Sequence, residues 1–150
     1  MHFFSAASFG NPECIELLLK HLASIDHKDA DGMTPFLCAV AAGHTNCAKL
    51  LLESGADIAA RDKYQRCCVH LAVENDKADV CKMLLQRCGS GLCNVPDVHE
   101  RTALHYAASA SKPGVRAKTS YKINQFGKFN IQILNCKCIN DEGYYWVSFG

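Results

Sequence analysis

Residues 29–62 read DADGMTPFLCAVAAGHTNCAKLLLESGADIAARD. The Asp31-Gly32 pair predicts a turn. Thr34-Pro35 predicts a helix start, because the threonine hydroxyl caps the first turn and a proline at the first helical position has no N–H to leave unpaired. The short apolar helix that follows stops at Gly43, a second helix ends in Leu50-Leu51-Leu52, and Gly55 closes the unit where the backbone needs positive φ. The same punctuation recurs along the chain. Gly10 to Gly43, Leu17 to Leu50 and Leu51 to Leu84 are each 33 residues apart, a spacing that marks stacked copies of one helical unit. Leu17, Leu50 and Leu84 are expected to line up in one continuous interior.

Upstream, Ser5 to Gly10 matches the first helix of a unit. Asn11-Pro12 then supplies an N-cap and a first-turn proline for a second helix carrying the apolar stripe Ile15, Leu18, Leu19 and Leu22. Met1 falls inside that first helix with no polar capping unit before it, so the array reads as cut from a longer one. Downstream, the third unit keeps Asp62, His70, Leu71-Ala72 and Met83-Leu84-Leu85. Gln65 replaces the turn glycine, however, Cys67-Cys68 replace Thr-Pro, and Asp76 replaces the glycine between the helices. Losing cap and proline together costs on the order of 1 kcal/mol or more, which makes this unit the expected weak one.

Asp62 and Asp97 are 35 residues apart, and the two extra residues fall in the Gly-rich connection Cys88-Gly89-Ser90-Gly91-Leu92-Cys93, since insertions belong in loops. The fourth unit opens with Asp97, Thr102, Leu104-His105 and Ala107-Ala108 and breaks off at Ser111-Lys112-Pro113-Gly114. The expected layout is an all-α solenoid of about three and a half helix-turn-helix units at residues 1–28, 29–61, 62–96 and 97–111, the last incomplete. Residues 112–150 shift abruptly toward Lys, Asn, aromatic and β-branched residues. They are expected to be an irregular tail, disordered or a loose β-hairpin with strands near 129–134 and 144–149. A motif broken in mid-unit points to a truncated or alternatively spliced product, or to a gene-model artefact, rather than an evolved end.

Composition excludes several functions. The chain has 150 residues, 49% of them hydrophobic, enough for a core, and its 16 basic side chains nearly balance 15 acidic ones. A net charge of +1 supplies no field for nucleic acid or an anionic membrane surface. No stretch approaches the roughly 18 consecutive apolar residues of a membrane span. The opening MHFFSAASFGNPEC has no Lys or Arg, so it is not an export signal. The ten cysteines are therefore read as reduced cytosolic thiols, used as small apolar residues in close helix packing.

Thr34-Pro35-Phe36-Leu37, followed by Ala39, Gly43-His44, Leu50-Leu51-Leu52 and Gly55-Ala56-Asp57-Ile58, resembles the ankyrin repeat. The resemblance covers residues 1–111. It implies a β-turn finger and two antiparallel helices per unit, stacked in a row, with a concave face of fingers and first helices that binds other proteins. It further implies that the histidine of the Thr-x-Leu-His motif, His105 here, hydrogen-bonds across the turn. On the concave face the fingers would offer Asp31, Met33, Tyr64, Arg66, His99 and Arg101. The first helices would offer Cys38, Leu71, Glu74, Asn75 and Tyr106. Leu71 and Tyr106, with arginine nearby, have the composition of an interaction hot spot. The expected function is thus a non-catalytic scaffold or adaptor for a protein partner, without cofactor.

Other chemistry is thinner. Cys88, Cys93, His99 and His105, with Cys136 and Cys138, supply zinc-type ligands, but the spacing lacks the tight Cys pair of a structural site, and no metal is expected. Cys67 and Cys68, beside Arg66 where a helix begins, are the candidate reactive thiols. No phosphate loop, zincin helix or assembled nucleophile and base is present.

Finally, His2-Phe3 with Ala6-Ala7-Ser8-Phe9-Gly10 and Cys14, Asp31-Gly32-Met33-Thr34-Pro35, and Val95-Pro96-Asp97-Val98-His99 leading to Leu104-His105-Tyr106-Ala107-Ala108 are similar to units in transient receptor potential cation channels of the ankyrin type. That likeness implies, as the alternative, a piece of the cytosolic array of a stimulus-gated channel whose pore lies elsewhere.

Overall fold

The computed structural model describes residues 2–21, 24–88, 91–109, 138–140 and 143–145. Seven helices follow one another there: α1 (His2–Phe9), α2 (Pro12–Lys20), α3 (Pro35–Ala42), α4 (Thr45–Glu53), α5 (Cys68–Glu74), α6 (Ala78–Cys88) and α7 (Ala103–Ser109). A single 3-10 turn, Gly91–Asn94, lies between α6 and α7. The helices stack in two rows: α1, α3, α5 and α7 form the inner row and α2, α4 and α6 the outer one, each packing against its neighbours in the row and, from α1 to α6, against its partner across it.

The caps form as the sequence predicts. Asn11 Oδ1 accepts the Cys14 N–H at 3.1 Å and Thr34 Oγ1 accepts the Leu37 N–H at 3.2 Å, each ahead of a first-turn proline. Each turn inside a helix pair returns an N–H to a carbonyl of the preceding helix: Asn11 to Ala6, His44 to Ala39 and Lys77 to Ala72, at 2.8 to 3.0 Å. The residue that makes this reversal sits in the left-handed region in all three, Gly10 at φ +73°, Gly43 at +91° and Asp76 at +54°.

The core runs through the stack as rows of equivalent positions. Ile15, Ala48 and Cys81 are fully buried, as are Leu51 and Leu84 with Leu18 half-buried beside them. This corrects the expected line of Leu17, Leu50 and Leu84. Leu84 is buried, Leu50 is half-buried and Leu17 is 56% exposed. Leu84 is the counterpart of Leu51 rather than Leu50, and Leu17 lies on a helix with an outer-row neighbour on one flank only among the described residues.

Small side chains let the rows approach: Ala39, Ala48, Ala72 and Ala107 are essentially buried, as are Cys47, Cys67, Cys68, Cys81 and Cys93. In the tail, β1 (Cys138–Asn140) pairs antiparallel with β2 (Gly143–Tyr145), Ile139 opposite Tyr144. The second expected strand thus begins one residue earlier and is shorter within the described residues. The first, at 129–134, lies outside them, as does the expected end of the array at 111.

Candidate functional site

Three fingers project from the first-helix row at residues 29–33, 62–66 and 97–101, and all are built on one plan. The opening aspartate accepts two backbone N–H groups through Oδ1: Asp29 from Asp31 and Met33, Asp62 from Tyr64 and Arg66, Asp97 from His99 and Arg101, all at 2.8 to 2.9 Å. The same aspartate's N–H closes the loop on the carbonyl of the fifth residue, Met33, Arg66 or Arg101. The fourth residue lies in the left-handed region, Gly32 at φ +74°, Gln65 at +60° and Glu100 at +59°. Neighbouring fingers are tied by backbone: Lys63 N–H donates to Asp31 O at 2.9 Å and Val98 N–H to Tyr64 O at 3.1 Å. The fingertips therefore form one edge with fixed register.

What this edge offers differs from the sequence expectation. Arg66 is folded back, with Nε on Asp62 Oδ2 and a terminal nitrogen on Glu74 Oε2, both at 2.7 Å. Arg101 repeats the device in the fourth unit. It binds Asp97 Oδ2 through Nε at 3.0 Å and through a second nitrogen at 2.9 Å, and that second nitrogen also donates to the Tyr106 hydroxyl. Tyr106 in turn donates to Asp97 Oδ2 at 2.7 Å. Burial opposes ionisation of Asp97, but Tyr106, the Arg101 backbone and guanidinium and the His99 N–H overcome it and hold its carboxyl well below the usual carboxylate range. Burial and the same carboxylate push the Tyr106 phenol up to about 12.

Leu71 and Tyr106, expected at the centre of the concave face, are 2% and 7% exposed. The expectation treated α5 as two-faced. Instead residues 68–73 are all buried, because this seven-residue apolar helix is packed between α3 and α7. Cys38, at the same position in the second unit, is half-buried, and so is Met33. Glu74 and Asn75 are exposed at the helix end, the former engaged by Arg66, the latter donating to Leu71 O at 2.9 Å.

Tyr64 does project, 47% exposed, with Lys63 Nζ 5.0 Å and Arg66 Cζ 5.2 Å from its ring centroid. The residue the sequence reading missed is Val98, 50% exposed on the adjacent finger and bonded through its backbone to Tyr64. Its signal was available: the second finger position holds Ala30 and Lys63 in the preceding units, both exposed, so an apolar valine there has no core to join.

The candidate thiols separate. Cys68 is fully buried, and its Cys67 neighbour and burial raise its pKa. Cys67, also buried, stands where Thr102 stands in the fourth unit. Thr102 N and Oγ1 lie 3.1 and 3.0 Å from His105 Nδ1; Cys67 N and Sγ lie 3.2 and 3.1 Å from His70 Nδ1. The cap expected to be lost is therefore rebuilt by cysteine and histidine. His70 Nε2 faces the Arg101 carbonyl at 3.0 Å and so carries a hydrogen, leaving Nδ1 as acceptor. Cys68 and the His70 ring pull the Cys67 thiol down against its burial. Burial drives Cys47 and Cys88 the opposite way, and with them Cys38 to about 11 and Cys93 to about 12. The zinc-type series is drawn apart, with Cys93 buried under α5, His99 exposed on a fingertip and His105 turned onto Thr102. Among the described residues no group of three potential ligands converges.

Comparison with known proteins agrees with this architecture. The family model for ankyrin repeats in many copies matches residues 3–52 and 39–85. Inversin of Canis lupus familiaris is 34% identical over 97 residues, 65% of this chain and 9% of that protein. Inversin of Danio rerio is 38% identical over 83 residues, 55% of this chain and 8% of that protein. The nuclear factor NF-kappa-B p105 subunit of Gallus gallus is 33% identical over 107 residues, 69% and 11% of the respective chains. The chain thus spans about a tenth of the length of these relatives. Repeating fingers, paired helices, buried rows and the family match together establish that this chain belongs to the ankyrin-repeat family.

Proposed function

We propose that the chain is a non-catalytic protein-binding module, a section of a longer ankyrin array acting as scaffold or adaptor in the cytosol. The observation that carries this reading is the finger edge. Backbone bonds fix its register, its charged side chains are largely spent in internal pairs, and Tyr64 and Val98 are left projecting side by side. An aromatic flanked by cations with an apolar neighbour presents contact area at little cost in conformational entropy, the property of interface anchors. Of the side chains expected to bind a partner, Tyr64 remains the principal one, and Met33, on the preceding finger, is half-buried against the core. Arg66, Arg101 and Tyr106 act through the shape they give the fingers, while Cys38, Glu74 and Asn75 border the edge. The balanced charge favours a protein partner over nucleic acid or membrane. Among the described residues no helix is long and apolar enough to cross a membrane, and the channel alternative rests on motif likeness alone.

The test is affinity capture with the full chain, its Tyr64→Ala plus Val98→Ala variant and a Leu17→Ala control, quantified by mass spectrometry. Proteins retained by the parent and control but lost with the double variant support the edge. Equal retention by all three removes it.

A further inference from the structure

Cys67, His70 and the Arg101 carbonyl lie in sequence, with Sγ 3.1 Å from Nδ1 and Nε2 3.0 Å from the carbonyl oxygen. Nucleophile, base and a third group orienting the base are the parts that activate a thiol. The orienting carbonyl is itself fixed, since Arg101 is clamped on Asp97 and its carbonyl also closes the fourth finger. The ring is further held edge-on by Tyr106, centroids 5.2 Å apart. In the fourth unit the same scaffold holds the Thr102 hydroxyl, which has no nucleophilic chemistry of this kind at neutral pH. Beyond His70 the sulfur has the Cys68 side chain beside it, and Cys67 Sγ lies 3.5 Å from the carbonyl of Leu92, in the 3-10 turn at the two-residue insertion. A lone turn of this sort opens at lower free energy than the helices around it.

We propose that Cys67 is a site of reversible oxidation by a hydroperoxide, with His70 as the base that takes its proton and the Gly91–Asn94 turn as the cover that lifts to admit the oxidant. The sulfur attacks one peroxide oxygen while its proton passes to His70 Nδ1. The O–O bond breaks, and the departing hydroxide of hydrogen peroxide, or the alkoxide of an organic hydroperoxide, takes that proton from Nδ1 and leaves as water or alcohol. Sulfur is oxidised by two electrons to a sulfenic acid, and the peroxide is reduced. The titratable groups facing the pair are Cys68 on α5, Cys88 on α6, Cys93 in the turn, Asp97 in the fourth finger and Tyr106 on α7. Burial raises the pKa of Cys88 and Cys93, so neither competes as nucleophile. Oxidation would place an oxygen where Leu92 now packs and would displace the turn, loosening the junction between third and fourth units.

The experiment treats the full chain with hydrogen peroxide in the presence of dimedone, from pH 6.5 to 8.5, and locates the adduct by peptide mass. Cys67 should label at least about tenfold faster than the equally buried Cys47 of α4, which lies outside the turn. Its rate should change by less than about threefold over that range, whereas a free cysteine standard rises by tens of fold below its pKa. Cys67→Thr copies the fourth unit, so it should melt like the parent and lose the adduct at that position. His70→Gln should restore the steep profile; if that variant does not fold, the parent's own pH profile decides. Three results overturn the proposal: labelling of Cys67 and Cys47 in step, as global unfolding requires; a Cys67 rate that parallels the free thiol; or a folded His70→Gln that labels as fast as the parent.

Discussion

Replacing Gln65 by glycine should stabilise the protein. Gln65 holds the fourth position of its finger at φ +60°, where the preceding unit has Gly32 at +74°. A side chain in the left-handed region crowds Cβ against the following carbonyl, at a cost of about 1 to 2 kcal/mol. Glycine removes that cost but gives back about 0.4 to 1 kcal/mol through the greater freedom of the unfolded chain. Nothing else opposes the change. Gln65 is exposed, and its N–H to the Asp62 carbonyl, 3.0 Å, belongs to the backbone and survives. The net gain is about 0.5 to 1 kcal/mol, or roughly 2 to 4 °C in Tm for a chain of this size. Urea denaturation followed by circular dichroism should show a higher midpoint with an unchanged m-value. Gln65→Ala keeps the Cβ and therefore the strain, so it should gain nothing. A glycine variant no more stable than the alanine variant would refute the reasoning, since relief of the positive φ is the only difference it relies on.

Gly32 and Gly55 provide a companion test of space against strain. Both have positive φ, but a Cβ on Gly32 would lie 2.8 Å from the Lys63 backbone nitrogen while one on Gly55 meets nothing within 4 Å. Gly55→Ala should cost about 1 kcal/mol in urea melts and Gly32→Ala distinctly more, because the neighbouring finger must move. Tyr106→Phe removes a hydroxyl shared by Asp97 and Arg101 and should lower stability by about 1 to 1.5 kcal/mol. Asp97 governs part of the acid response. Its folded pKa lies below the unfolded value of about 4, so its contribution is complete above that value, starts to decline below it as the unfolded chain takes up the proton first, and is gone once pH falls through the folded pKa. Melts from pH 6 down to 2.5 should show a shallower decline in Asp97→Asn. Leu51→Ala, at a fully buried position, should cost about 2 to 5 kcal/mol, and Leu17→Ala, at a position 56% exposed, about 1 kcal/mol or less.

The sequence by itself determined the repeat: the 33-residue interval, the caps at Asn11 and Thr34, the proline starts and the glycines of the turns are all local chemistry, and each takes its expected conformation. It also identified the third unit as the one that departs, because Gln65, Cys67 and Asp76 are visibly the wrong residues for their places. What those residues do was decided by their neighbours. Asp76 and Gln65 accept left-handed backbone because the stack fixes the path of the chain, and Cys67 caps its helix because His70, anchored to a finger one unit away, turns its ring toward it. The proposed binding face was legible only in part. Tyr64 could be placed on a fingertip from its distance to Asp62, but whether Leu71 and Tyr106 face outward depends on what packs against α5 from both sides. Helical periodicity describes one helix, whereas burial is a property of the stack, and so the free surface had to be read from tertiary structure.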